Sequence, residues 1–352
     1  MAAGSERATL PIHGSASLPS VEVDSYNLEL EDDEGFVGDQ ANRGAFWEAL
    51  DEWRKTAKAA GSDPLGECPT EELSKKKLDA LLTSGPVEAA GIVQSAIEDY
   101  AQRFVKVVIR FLKQKSWKDT QCIVVGGGFR ASRIGELSIG RASALLKAAD
   151  VDVQLELISH DPDEAGLIGG AHLLPPWMLT GHDGILAVDV GGTNIRAGVV
   201  ELRLEKAKDL SESRVWQSHL WRHADEEVTR TETIERLGKL LRDLLKEAHK
   251  AKIALAPVVA VGCPGVIEAD GSIAKGAQNL PGNWESSRFN LPVAIQEIIP
   301  TIGDHETLVV LHNDAVVQGL SQLPWMQEHQ RWAALTIGTG LGNARYTNRR
   351  GR

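Results

Sequence analysis

The stretch "ILAVDVGGTNIRAGVV", Ile185 to Val200, constrains this chain more than any other. Two apolar, strand-like runs flank the turn Gly-Gly-Thr-Asn, and the first run delivers Asp189 to it. That pattern predicts a β-hairpin. Gly191 and Gly192 let the backbone approach an anion closely, and turn amides can face phosphate oxygens. A carboxylate at the strand end can hold Mg²⁺ through water, because magnesium prefers oxygen ligands and keeps much of its hydration. A hairpin with a glycine pair is also a common structural turn, so the motif alone leaves both readings open. Its position adds a question, since more than half of the 352 residues precede it.

At this length the chain can bury a large core and divide into two or three domains. Its 42% hydrophobic and 25% charged residues are ordinary for a globular protein. A net charge of −11 argues against general binding to nucleic acid or anionic membrane, which needs a basic surface. Cys68, Cys122 and Cys263 are far apart and odd in number, so no disulfide framework or CxxC metal cluster follows from their spacing. The first residues, "MAAGSERATLPIHG", hold no apolar run of signal-peptide length. The longest apolar region, "LIGGAHLLPPWML", is too short and interrupted to span a bilayer. A reducing, cytoplasmic location fits these features.

Residues 1–40 mix Ser, Gly, Pro and acidic groups and read as an irregular surface arm. "AFWEALDEWRKTAKAAG" then reads as a helix with Phe46, Leu50 and Trp53 on one face and Gly61 at its end. A helix start is expected at Thr70 and a long apolar-faced helix over Val87–Lys113. "CIVVGGGF" is a buried strand entering a glycine turn, "RASALLKAA" a helix, "VDVQLELI" a strand and "DEAGLIGGAHLL" a small-residue helix. "PPWMLTGHDG" has linker composition. Beyond it lie the hairpin, a third strand in "WQSHLWRH", and an amphipathic helix carrying Ile234, Leu237, Leu241, Leu244 and Ala248. The strands "PVVAVGCPG" and "TLVVLHNDA" follow, then a strand–turn–strand in "WAALTIGTGLGNARY". Alternating strands and helices predict an α/β protein with mixed sheets.

Three further features can carry chemistry. "TIGTGLG" repeats the glycine-turn device, with Gly338, Thr339 and Gly340 as a second anion-accepting turn or a plain hairpin. "VVGGGFRAS" places Gly126, Gly127 and Gly128 where a flat ring can approach the backbone, or where a simple connection runs. Asp314 ends an apolar strand after Asn313. It can accept a hydroxyl proton while the amide fixes a substrate, or it can cap the helix that begins at Ala315. His312 reads as a packing residue.

Together these pieces resemble the sugar kinases of the ROK/bacterial glucokinase group within the hexokinase–actin–Hsp70 superfamily. Asp189, Gly191, Gly192, Thr193 and Arg196 match its DxGGTxxR phosphate motif. "CPGVIEADGSI…QNLPGNW", "HNDA" and "TIGTGLG" match its later motifs in family order. The elements expected after the second phosphate turn stand instead at the front of the chain, so the chain resembles a circular permutant. The implied fold is a two-lobed ribonuclease-H-like, actin-like ATPase α/β fold, circularly permuted. The implied organisation is an arm over 1–40, part of lobe II over 41–162, a closing helix and linker over 163–180, lobe I over 181–310, and the rest of lobe II over 311–352. The closing helix, Glu164 to Leu174, is assigned to lobe I.

The resemblance implies ATP-dependent phosphorylation of a hexose-type hydroxyl. ATP would lie against Gly126, Gly127 and Gly128, with its phosphates at the two other glycine turns. Asp189 would position Mg²⁺ through water, and Asn279, Asn313, Gly265 and Asp314 would hold the sugar. Asp314 would act as general base. A small-molecule sugar and ATP are the implied partners, without nucleic acid or membrane, and a homodimer is the assembly the family suggests. The family's zinc motif, a His followed by CxCGxxGC, is absent, so no structural zinc is expected. Its E-x-G-H sugar segment has no clear counterpart, and Leu10 to Tyr26 is the nearby candidate. Two other readings are a sugar-sensing, catalytically weak regulator and a kinase for a non-sugar acceptor. The acidic, irregular start offers no basic recognition helix for a DNA-binding regulator.

Overall fold

Two five-stranded sheets organise the chain, each inside its own compact unit. The computed structural model describes residues 10–33 and 35–349, so the first nine residues of the expected arm lie outside the described residues. One unit combines the segment ending at Ser20 with Gly170–Asp314, and the other combines Val21–Gly169 with the segment from Ala315 onward.

In the first unit the strand order is Leu308–Asn313, Leu255–Cys263, Gly184–Val190, Ile195–Glu201, Arg214–Trp221. The last three form an antiparallel meander, and the first two run parallel to Gly184–Val190. All seven residues of the central strand are buried. This explains its continuous apolar run, since a strand covered on both faces has no polar side to present. The helix Arg230–Lys250 packs beside the sheet through Leu237, Leu241, Leu244 and Ala248, and its start is fixed by a capping box between Thr229 and Glu232.

The second unit repeats this arrangement. Its order is Val21–Tyr26, Leu341–Asn348, Arg331–Ile337, Cys122–Gly126, Gln154–Leu157. Again three strands are antiparallel and two run parallel to the middle one. Both sheets therefore have the ribonuclease-H-like pattern, and the α/β expectation holds. In the first sheet the three antiparallel strands follow one another along the chain. In the second, the strand beside Leu341–Asn348 is Val21–Tyr26, from the other end of the sequence.

This corrects the reading of residues 1–40 as an irregular arm. In "VEVDSY", Val21 and Val23 point into the core while Asp24 pairs with Arg345. The alternation is a strand signal that the polar composition of the surrounding segment hid. Other boundaries shift as well. The helix expected at Thr70 is a short 3₁₀ turn, and a true helix, Lys75–Ser84, starts later with Ser74 as its cap. Trp53 leaves the apolar face of its helix, Arg43–Ala59, because its indole N–H donates to Asp99 at 2.6 Å near the surface. The linker "PPWMLTGHDG" contains a helical turn, Pro176–Leu179.

The expected closing helix, Glu164 to Leu174, divides: the 3₁₀ turn Ala171–Leu173 falls with the first unit, as assigned, whereas the helix Pro162–Gly170 falls with the second unit up to Gly169. There Gly169 packs so close to the Val317 carbonyl that an added Cβ would sit 1.7 Å from its oxygen. The unit boundary at the other end falls after Asp314. Among the described residues no helix is long and apolar enough to cross a membrane.

The second unit's core is rich in aromatic rings. Phe46, Trp47, Tyr100 and Phe129 meet with centroids 5.1–6.3 Å apart. Tyr100, on the long helix Val87–Leu112, also donates its hydroxyl to the Ala41 carbonyl at 2.7 Å. Phe129 follows the Gly126–Gly128 turn directly, so this cluster anchors that turn from beneath.

Candidate functional site

Strand register assembles the first unit's polar residues. Asp189 lies opposite Gly262, and Asn313 opposite Cys263, so the neighbouring strands end at one level. Asp189, Cys263, Asn313 and Asp314 thereby share one end of the sheet. The Cys263 thiol reports their proximity, because burial and then the charges of Asp314 and Asp189 push its pKa well above the ordinary range. Asp189 is 7% exposed and pairs with Arg196, its cross-strand neighbour, at 3.3 Å. Asn313 is buried and donates its side-chain N–H to the Gly265 carbonyl at 3.0 Å. Gly265 has φ +104°, and a Cβ there would meet the Lys275 carbonyl at 2.5 Å, so only glycine fits. Asp314, half-buried, is the first residue of the helix Asp314–Leu320, a place that suits a cap as well as a base. Two carboxylates at a strand end with one arginine as counter-charge form an oxygen donor set suited to a hydrated divalent cation.

The Gly191–Asn194 turn is held from the protein side. Its ends close through Gly191 N–H donating to the Asn194 carbonyl at 2.8 Å. His223 donates Nε2–H to the Gly191 carbonyl at 2.8 Å, and the Ala224 N–H donates to the Thr193 carbonyl at 3.2 Å. His223 was not singled out from the sequence, where it reads as the end of a strand. It actually sits in a 3₁₀ turn just beyond that strand. Asn279 packs on the turn, 3.3 Å from where a Cβ on Gly192 would be. Gly192, His223, Glu226, Thr229, Asn279 and Pro281 are among the residues lining an open cleft of about 520 Å³. Glu226 is held there by the Trp221 indole N–H and by Arg236, which keep its carboxyl below the usual range.

The segment around His13 extends the edge of the same sheet. Gly14 N–H donates to the Leu311 carbonyl at 2.9 Å, and His13 Nδ1 accepts from Leu311 N–H at 3.1 Å. His312 accepts at Nδ1 from Asn313 N–H at 2.7 Å and donates Nε2–H to the Ser15 carbonyl at 3.1 Å. His312 is therefore a packing residue, as expected, and it is held as the neutral tautomer. Part of the Leu10–Tyr26 stretch thus lies against the strand that carries Asn313.

In the second unit the two remaining glycine turns adjoin. Thr336 lies opposite Gly126, and Phe129 N–H donates to the Ile337 carbonyl at 3.3 Å. Gly127 has φ +85°, and a Cβ there would lie 2.4 Å from the Ile337 carbonyl oxygen. Gly128 and Gly340 instead face open space, with nothing within 4 Å of an added Cβ. A ligand can approach both. Two cations not singled out from the sequence join them. Arg43 N–H donates to the Gly338 carbonyl at 3.0 Å, and Lys75 donates to the Gly128 carbonyl. Burial, then the charge of Arg43, lowers the Lys75 pKa. Both residues open helices whose first turns hold no acidic group. The nearby helix Arg133–Ala148 is closed to anions, since Asp79 and Ser132 already accept its first N–H groups.

The ROK family model matches residues 185–351. Among solved structures, the chain is similar to the ROK hexokinase from Thermus thermophilus at 21% identity and a TM-score of 0.34, covering 48% of this chain and 49% of that one. It is similar to the ROK family glucokinase from Streptomyces griseus, solved with glucose and AMPPNP, at 21% identity and a TM-score of 0.35, covering 48% and 47%. A PPX-GPPA enzyme from Aquifex aeolicus aligns over 69% of this chain and 87% of its own at 12% identity and a TM-score of 0.29. The chain spans about half the length of the two ROK structures. No curated protein matches it.

The buried His312 generates a pH prediction. Its pKa is lowered to about 4, chiefly by burial, against an ordinary value of 6.5. A depressed histidine pKa favours the native state above 6.5, and that stability is lost as pH falls from there toward 4, because the unfolded chain takes up the proton first. Urea midpoints are expected to drop over this window, by up to about 3 kcal/mol in stability. His312→Gln should flatten the slope, and an unchanged slope would contradict the assignment.

Proposed function

We propose that this chain, whose residues 185–351 match the ROK family model, is an ATP-dependent carbohydrate kinase that phosphorylates a hexose-type hydroxyl. The observation that carries the reading is the convergence of Asp189, Asn313 and Asp314 at one sheet end, in the unit that also holds the His223-braced glycine turn. In this reading Asp314 accepts the hydroxyl proton, and Asn313, pinned to Gly265, orients the acceptor. Asn279 and the cleft beside Gly192 receive the rest of the sugar. Gly128 and Gly340 leave room for the nucleotide, while Arg43 and Lys75 supply positive charge to its phosphates. Bound ATP would supply the γ-phosphoryl group, and Mg²⁺, held through water by Asp189, would neutralise its charge. Reactions of this kind need mainly positioning and charge stabilisation, and the rigid strand ends suit that demand.

The chain is further read as a circular permutant. Support comes from the second sheet, whose order matches the first only if Val21–Tyr26 is taken to follow Leu341–Asn348. The family match, confined to 185–351, fits the same reading.

Asp314→Ala is expected to lower sugar-dependent phosphotransfer by about 10²–10⁴-fold while far-UV circular dichroism and nucleotide binding stay unchanged. A folded variant with near wild-type turnover would remove Asp314 from the chemistry. Lys75→Ala should raise the KM for ATP with little change in the KM for sugar. For the permutation, a chain rearranged so that residues 1–180 follow Arg352 is expected to melt cooperatively and keep its turnover. Loss of folding in that rearranged chain would refute the permutation.

A further inference from the structure

We infer that the second unit carries a divalent-metal site of the zinc type, formed by Cys122, Glu156 and His329. One ligand atom from each side chain, the thiol sulfur, a carboxylate oxygen and an imidazole nitrogen, lies within 4.8 Å of the other two. The three come from separate elements of the unit. Cys122 begins the central strand Cys122–Gly126, Glu156 lies on the edge strand Gln154–Leu157, and His329 stands two residues before the strand Arg331–Ile337.

Each backbone support is fixed independently. The two strands pair in parallel, and Trp332 lies opposite Cys122. The His329 N–H donates to the Met326 carbonyl at 3.1 Å, and its own carbonyl accepts from the Asn348 side chain at 2.9 Å. A metal-binding loop needs this kind of preorganisation.

The chemistry of the trio argues for a cation. Cys122 is fully buried, His329 is partly exposed and Glu156 reaches solvent, so the trio runs from the core to the surface. The Cys122 thiol is buried beside the Glu156 carboxylate and the His329 imidazole. A divalent ion would be bound as follows. The S–H proton leaves to water, sulfur bonds the metal as thiolate, and thiolate plus carboxylate cancel the two positive charges beside a neutral imidazole. Sulfur, nitrogen and oxygen donors together suit Zn²⁺, with a water in the fourth position.

The site differs from a cysteine-cluster zinc motif, whose absence was the ground for expecting no structural zinc. It lies at the start of the strand that leads to the Gly126 turn, about 13 Å away along the strand. A metal there would tie the loop around His329 to the edge strand and would act on stability rather than on phosphotransfer.

The test uses the full-length chain, reduced and stripped with chelator, and Co²⁺ as probe. One equivalent of Co²⁺ per chain should produce thiolate-to-cobalt absorption that Zn²⁺ displaces, with affinity rising as pH rises. Cys122→Ala and His329→Ala should each abolish the band, Glu156→Gln should weaken binding roughly tenfold or more, and Cys68→Ala should leave it intact. If Cys122→Ala folds poorly, His329→Ala, at a partly exposed loop residue, decides the matter. Absence of the band in the wild type, or a band that survives His329→Ala, overturns the proposal.

Discussion

The parallel hydrogen-bond register of Gly184–Val190, Leu255–Cys263 and Leu308–Asn313 is the constraint on which the candidate site depends. Because Asp189, Gly262 and His312 lie at one level across the three strands, Cys263 and Asn313 form the next level. A one-residue slip would turn each polar end toward the other face of the sheet. The register is protected by burial on both sides, so apolar packing holds the carboxylates together despite their mutual repulsion. Arg196 offsets part of that repulsion. The segment His13–Ser15 is tied to the edge strand Leu308–Asn313 by one backbone bond, from Gly14 to Leu311, and by the His13 and His312 side chains. Its attachment is consequently expected to weaken in acid.

A second local conflict lies in the other unit. Cations at a helix start oppose the helix dipole, yet Arg43 and Lys75 both occupy that place, and Lys76 and Lys77 follow in the first turn. A chain selected for stability alone would put acidic groups there. Placing positive charge at two helix starts beside the open Gly128 and Gly340 backbone makes sense if an anion offsets the cost. The aromatic cluster under Phe129 then keeps the turn from yielding when that anion is absent.

Much of the fold was legible in the sequence because its signals are local. The hairpin around Asp189, the long helix Val87–Leu112 and the strand–turn–strand at Gly338 follow from periodicity and glycine placement. Val21–Tyr26 was missed because composition outweighed a clear alternation, and its partner lies more than 300 residues away. His223, Arg43 and Lys75 act through backbone carbonyls that are distant along the chain, which no spacing rule reveals. The dipole-opposing charges were the available signal for the two cations. Cysteine spacing likewise excluded a cluster motif, yet it could not anticipate Cys122 meeting a glutamate and a histidine from two other elements.

The central claim is that the residues on this strand end serve the proposed transfer of phosphate to a sugar hydroxyl. Coupled ADP release by the wild-type chain, measured with Mg²⁺ and ATP across hexoses, hexosamines and N-acetylated sugars, tests it most directly. At least one sugar is expected to raise ADP release far above the sugar-free rate, with one phosphorylated sugar formed per ADP. ADP release that no sugar stimulates, or its complete absence, would contradict the account.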